Sequence, residues 1–217
     1  MSTHEKFGRK LIGRNSNLDS SPLGFGSSYG APSKAYEYAF ERGYNYFYWG
    51  TYRRDGMGDA IRNLVPQNRE KMLVVLQSYM RHSPLLKFGF YRGLKQLRID
   101  YADVLLLGWY NEPTSEKLMD TVQSLREKGL IKAVGISCHN RPMFKTYIDD
   151  NRFDLIMVRY NAAHRGAERE VFPYLESASS KPSVISYTTT RWGYLTDPSY
   201  TPKGEKTPTG GDCYRLQ

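Results

Sequence analysis

Short apolar runs recur along the chain, with amphipathic stretches between them. The runs are PLGFG (22–26), YNYFYWG (44–50), MLVVLQSY (72–79), ADVLLLGW (102–109), KAVGISC (132–138), DLIMVRYN (154–161) and SVISYTTT (183–190). Most are apolar on successive residues rather than alternating, as in parallel strands covered on both faces. Their starts lie roughly 22 to 30 residues apart, about one strand–helix unit. The segments between them read as helices. SKAYEYAFERG (33–43) has Ser33 placed to cap and Gly43 to stop it. GMGDAIRNL (56–64) predicts a short helix. LLKFGFYRGLKQL (85–97) carries Leu86, Phe90, Leu94 and Leu97 at spacings of three or four. In SEKLMDTVQSLREKG (115–129), Ser115 caps, Leu118, Val122 and Leu125 share a face, and Gly129 stops the helix. RPMFKTYIDD (141–150) and AEREVFPYLESA (167–178) complete the set.

Strand and helix alternate throughout, which allows either an open doubly wound sheet or a closed (β/α)₈ barrel. PLGFGSSYGAP (22–32) is glycine-rich but does not fit the dinucleotide fingerprint of an open sheet. DPSYTPKGEKTPTGG (197–211) reads as a loop.

Composition narrows the setting. No run approaches the roughly 18 apolar residues of a membrane span. The first ten residues, MSTHEKFGRK, have no apolar stretch after their basic residues and are not read as a secretory signal. Cys138 and Cys213 are the two cysteines of 217 residues, which points to a reducing compartment, taken as the cytoplasm, and to no metal site. The net charge of +9 suits an anionic partner such as a phosphate-bearing cofactor. The basic residues are dispersed, which argues against a nucleic-acid surface.

Several segments, in order, resemble the aldo-keto reductases. RKLIGRNSNLDSSPLGFG resembles the family's N-terminal hairpin running into strand one, so residues 1–21 are expected to plug the barrel bottom. ERGYNYFYWG, LKQLRIDYADVLLLGW, REKGLIKAVGIS, MVRYNAAHRGAE and SYTTTRWGYL resemble later family motifs. The resemblance implies a single α/β domain over 1–217, a TIM (β/α)₈-type barrel that binds NADP(H) and reduces carbonyls. Seven strands are legible, and DCYRLQ reads as the start of the helix after the seventh, so the barrel is expected to be incomplete. Open edges on the first and last strands would then invite self-association. The segment that carries much of the family's cofactor binding would lie beyond Gln217.

The family's catalysis uses an aspartate, a tyrosine acid, a lysine and a histidine, the lysine and aspartate lowering the tyrosine's pKa. Matched position by position, the aspartate falls on Tyr48 and the histidine on Gly108. The lysine falls among Gln77, Ser78 and Tyr79, and the tyrosine on Arg53 with Tyr52 adjacent. Two nicotinamide-contacting positions fall on Met157 and Cys138, while Ser137 and Tyr187 match theirs. Tyr52 or His139 is therefore the candidate proton donor, and Ser137 and Tyr187 are the candidate cofactor contacts. Tyr48, Trp49, Arg53, Tyr79, Trp109, Arg159, Asn161, His164, Arg191 and Trp192 are expected to line the mouth. Aromatic faces stack planar ligands and arginine forks grip carboxylate or phosphate. Two functions follow: an NADP(H)-linked oxidoreductase with an altered site, or a barrel that binds a planar anion without the family's chemistry.

Overall fold

The computed structural model describes residues 8–14, 18–50 and 55–215. It opens with an antiparallel hairpin, β1 (Lys10–Ile12) and β2 (Leu18–Ser20). Then follow β3 (Gly24–Gly26), α1 (Ser33–Glu41), β4 (Tyr46–Trp49), α2 (Gly56–Asn68), β5 (Leu73–Ser78), α3 (Ser83–Leu97) and β6 (Ala102–Leu107). The chain continues through α4 (Glu116–Glu127), β7 (Ile131–Ser137), α5 (Phe144–Asp149), β8 (Leu155–Arg159), α6 (Ala167–Glu170), α7 (Phe172–Ser177), β9 (Ser183–Tyr187) and α8 (Gly210–Arg215). Strands β3 to β9 form one seven-stranded sheet in chain order. Every neighbouring pair in it is parallel. Its edges are β3 and β9, so it is a curled, incomplete TIM-type barrel.

The period of two along each strand sorts side chains into two cores. Tyr46, Leu73, Val75, Val104, Leu106, Ala133 and Leu155 meet Ile12 and Leu18 of the hairpin inside the curl. Phe47, Val74, Leu76, Leu105, Leu107, Val134, Ile136, Ile156 and Val158 face outward onto the helices, against Leu86, Leu94, Leu118 and Leu125. Both faces are apolar, which is why the strands read as unbroken apolar runs.

The hairpin closes the end where the strands begin. Arg14, just past β1, donates from Nε to the Phe153 carbonyl (3.0 Å) and from Nη2 to the Ile148 carbonyl (2.7 Å). It also reaches the Ser180 carbonyl and Asn151 Oδ1. Asn45 ties the hairpin to β4 and β5: its Oδ1 accepts from the Ser21 N–H (2.8 Å), and its Nδ2 donates to the Asp19 and Lys71 carbonyls (2.9 and 3.1 Å).

Several boundaries differ from the sequence expectation. Helix α1 is capped by the extended Pro32 and starts at Ser33, with no side-chain cap bond. Helix α2 runs four residues beyond Leu64, through Pro66, because Leu64 and Val65 continue its core-facing stripe. The predicted 167–178 helix is two short ones, broken at Val171 (φ −131°, ψ −54°) ahead of Pro173, which has no N–H to give. The predicted 197–211 loop contains a single helical turn, Pro198–Tyr200, and gives way to α8 at Gly210. Helix α4 matches its signals: Ser115 Oγ accepts from the Leu118 N–H (3.4 Å), and Gly129 takes φ +69°.

Candidate functional site

Inner-face residues at the strands' C-terminal ends are fixed by register. Met157 and Ile185 pack with the inner core, alongside Tyr48. Met157 pairs with Ser137 and with Ile185, and two residues on Arg159 pairs with Tyr187. Ser137, Arg159 and Tyr187 therefore share the inner face with Tyr48 and Gln77. Trp49 does not. It is the outward residue after Tyr48, 3% exposed, with its indole N–H donating to Asp55 Oδ1 (3.2 Å) and its ring against the α3 helix near Gly93. Its expected place in the mouth is corrected to the strand–helix layer. Tyr52, Arg53 and Arg54 lie outside the described residues.

Tyr48 and Gly108, which the resemblance matches to the aspartate and the histidine, meet Gln77 and Tyr79, two of the three residues among which the lysine position falls. The Tyr48 hydroxyl donates to Gln77 Oε1. Gly108 is required at its position, because a Cβ there would fall against Gln77 Nε2 and 2.7 Å from the Tyr79 ring. The volume a side chain would fill is thus taken by Gln77 and Tyr79. Burial pushes the Tyr48 hydroxyl far above its ordinary pKa, and the neighbouring Tyr79, Tyr46 and Tyr187 add to the shift. Among the described residues a neutral amide and a neutral phenol meet at these positions, and neither carries a charge that would lower a neighbouring tyrosine's pKa.

Above this base stands an aromatic rim. The Trp109 ring packs on Tyr79 (5.4 Å, 61°) and on His139 (5.4 Å, 56°). Its backbone N–H donates to Ser137 Oγ (3.1 Å), and its φ is +59°. Across the mouth, His164 meets Trp192 edge-on (6.0 Å, 84°). Asn161 is a brace rather than a free ligand contact. It is 1% exposed, its Oδ1 accepts from the N–H groups of Ala163 and His164 (3.0 and 2.9 Å), and its Nδ2 donates to the Thr188 carbonyl (2.8 Å). The loop it holds contains left-handed Thr188, Arg191 and Trp192 (φ 57°, 50° and 57°). Four of the five non-glycine residues with positive φ among the described residues, counting Trp109, thus lie at this end of the barrel.

Arg159 sits among these groups. Burial lowers the pKa of both His139 and His164, and the Arg159 charge lowers it further. At His164, Arg191 and Arg141 act in the same direction. Burial raises the Tyr187 pKa, and Arg159 opposes that shift. Next to this group, on the other side of His164, a cavity of about 580 Å³ is lined by Arg141, Arg165, Arg169, Glu168 and Glu170 among others. Arg141 meets Glu170 (3.1 Å) and Arg165 meets Glu168 (2.9 Å). The sequence names Tyr79, Trp109 and His139 as candidates but not their mutual packing, and it does not mark Arg141. Nothing in their spacing marks the stack, since each comes from a different loop.

The chain belongs to the aldo/keto reductase family, whose model matches residues 32–210. A stretch of 85 residues is 28% identical to the NADH-specific methylglyoxal reductase of Escherichia coli (strain K12), covering 37% of this chain and 26% of that relative. Among solved structures it is similar to the holo form of aldo-keto reductase AKR11C1 from Bacillus halodurans, with a TM-score of 0.77, 21% identity, 97% of this chain and 76% of that one. It is also similar to an aldo/keto reductase from Klebsiella pneumoniae in complex with NADP and acetate, with a TM-score of 0.71, 18% identity, 85% of this chain and 70% of that one. Among the described residues no helix is long and apolar enough to cross a membrane.

The residues present fit a nicotinamide cofactor poorly at its reactive end. Tyr187 offers a ring for stacking, and its hydroxyl is buried without a partner. The carboxamide finds little. Ser137 Oγ accepts from the Trp109 N–H and keeps its own O–H to donate, but Met157 has no amide, and Cys138 is turned outward into the helix-facing core. Burial pushes the Cys138 thiol up to about 11, and it donates to the Asn140 carbonyl (3.0 Å).

Proposed function

We propose that this chain keeps the aldo-keto reductase ligand mouth without the family's proton relay, and binds a planar anionic ligand there without ordinary carbonyl reduction. The carrying observation is the neutral Tyr48–Gln77 hydrogen bond beside Gly108, at the positions where the resemblance puts aspartate, lysine and histidine. Loss of one positioned acid removes about 10²–10⁴-fold in rate. The rim of Tyr79, Trp109, His139, His164, Trp192, Arg159 and Arg191 supports binding of a flat anion. The ligand is a small molecule, and the open β3 and β9 edges support self-association.

A second reading, NADP(H)-linked oxidoreduction at the altered site, is favoured by Ser137 and Tyr187 on the inner face, and by solved relatives in complex with NADP or NADPH. Tyr52 or His139 would then handle the proton. Titration with NADPH, followed by tryptophan fluorescence, separates the two. Weak, non-saturating quenching fits the first reading. Saturation at micromolar NADPH, with quenching of the nicotinamide emission, favours the second.

A further inference from the structure

Resting on the mouth-binding reading above, we propose that the ligand is an aromatic monocarboxylate, its carboxylate gripped by Arg159 and its ring held between the Trp109 and Trp192 sides of the rim. Arg159 is half-buried on the inner face of β8, beside Tyr187 in register. Among the described residues it makes no hydrogen bond and no ion pair. The other partly buried arginines that carry structure are matched: Arg62 with Asp55, Arg69 with Asp103, Arg126 with Asp154, Arg141 with Glu170. A guanidinium taken partly out of water without an anion is costly, and its planar fork fits a carboxylate with two parallel bonds.

One charge and flat walls define the rest of the ligand. Arg141 is already neutralised by Glu170, and the histidines beside Arg159 are held toward their neutral forms. Among the described residues Arg159 is the unpaired cation of the strands' inner face, with Arg191 in the loop beyond β9, and its planar fork matches the two oxygens of one carboxylate. Trp109 and Trp192 are 57% and 49% exposed, each is backed by a histidine ring, and both are held in left-handed backbone conformations that tryptophan seldom adopts. Strain of this kind persists where surrounding structure fixes a side chain for use. The buried Tyr187 hydroxyl, without a partner, is placed to bond a polar atom of the ligand.

The test is calorimetric titration of the full chain with 4-hydroxybenzoate, 4-hydroxybenzamide, inorganic phosphate and NADPH, with circular dichroism to confirm that each variant is folded. The expected result is saturable 4-hydroxybenzoate binding, at least tenfold tighter than that of the amide, and no saturable phosphate binding. Arg159→Gln should weaken the benzoate at least tenfold and leave the amide within twofold. Trp109→Ala should weaken both. Equal affinity for acid and amide, phosphate binding as tight as the benzoate, or indifference of the benzoate to Arg159→Gln would overturn the proposal. If the benzoate binds but is indifferent to Arg159→Gln, the carboxylate proposal fails while the mouth-binding reading stands; if NADPH saturates and the benzoate does not bind, both fail in favour of the second reading. If neither binds the folded chain, both fail.

Discussion

The two ends of the barrel treat charge in opposite ways. At the end where the strands begin, the buried carboxylates of Asp103 and Asp154 tie strand N–H groups to cations, although Nε of Arg69 and of Arg126 is buried without a partner among the described residues. Asp103 Oδ2 accepts from the Val74 N–H (2.8 Å) and meets Arg69 (2.9 Å), while its other oxygen meets Lys132 (3.0 Å). Asp154 accepts from the Val134 N–H (2.8 Å) and pairs with Arg126. At the opposite end Arg159 has no acid among the described residues, Tyr187 has a buried hydroxyl without a partner, and the backbone is strained at Trp109, Thr188, Arg191 and Trp192. One end uses its carboxylates to hold strands together. At the other, the proposed function makes Arg159 and Tyr187 the groups offered to a ligand, at the face where such barrels place their sites.

The sharpest way to break this contrast is a paired substitution. Asp154→Ala strands Arg126 and the Val134 N–H in the interior and is expected to cost about 3–5 kcal/mol. Arg159→Gln removes a cation that holds nothing together and should stay within about 0.5 kcal/mol of the parent. Urea unfolding of both variants measures this, and equal losses would erase the distinction.

Much of the fold was legible because parallel strands covered on both faces must be apolar at successive positions. The helices with a clear stripe and stop, such as α4, were legible for the same reason. The face of a given residue was harder to read. In Tyr46–Trp49 all four side chains are aromatic, so hydrophobicity does not say which two point inward, and Trp49 was assigned to the mouth when it belongs to the helix layer. Arg159 ends β8 and Asn161 lies two residues beyond it, yet only the loop conformation shows that Asn161 is consumed in bracing. That Tyr48 and Gly108 stand where the resemblance puts an aspartate and a histidine was legible residue by residue. That Gln77 and Tyr79 fill the space beside Gly108 was not, because the strands that meet there are far apart in sequence.

A smaller loss is expected at the hairpin latch. Arg14→Ala removes charged hydrogen bonds to the carbonyls of Phe153 and Ile148, and should cost about 1.5–3 kcal/mol. Faster amide hydrogen exchange confined to β1 and β2 would locate the damage at that end. Gly108→His tests the mouth instead. Its side chain must displace Gln77 and the Tyr79 ring, so a cost of about 1–3 kcal/mol is expected, read as a lowered Tm. Recovery of aldehyde turnover in this variant would show that the relay needs only its histidine.

The smallest effect is a pH dependence. His139 and His164 have pKa values lowered from 6.5, by burial first and by Arg159 next. The unfolded chain therefore binds more protons than the folded one once the pH falls below that ordinary value. Stability contributed by the neutral rings is present above about 6.5 and is lost as the pH drops toward their folded values. His139→Gln with His164→Gln should flatten that part of the urea-midpoint profile. An unchanged slope would mean that Arg159 does not govern these rings.

The account turns on a mouth that binds without the family's proton relay. Steady-state reduction of methylglyoxal, with NADPH and with NADH, tests this most directly. The account predicts turnover at least about 10²-fold below the median enzyme rate of roughly 10 per second. Turnover near that median, abolished by Tyr187→Ala, would contradict it.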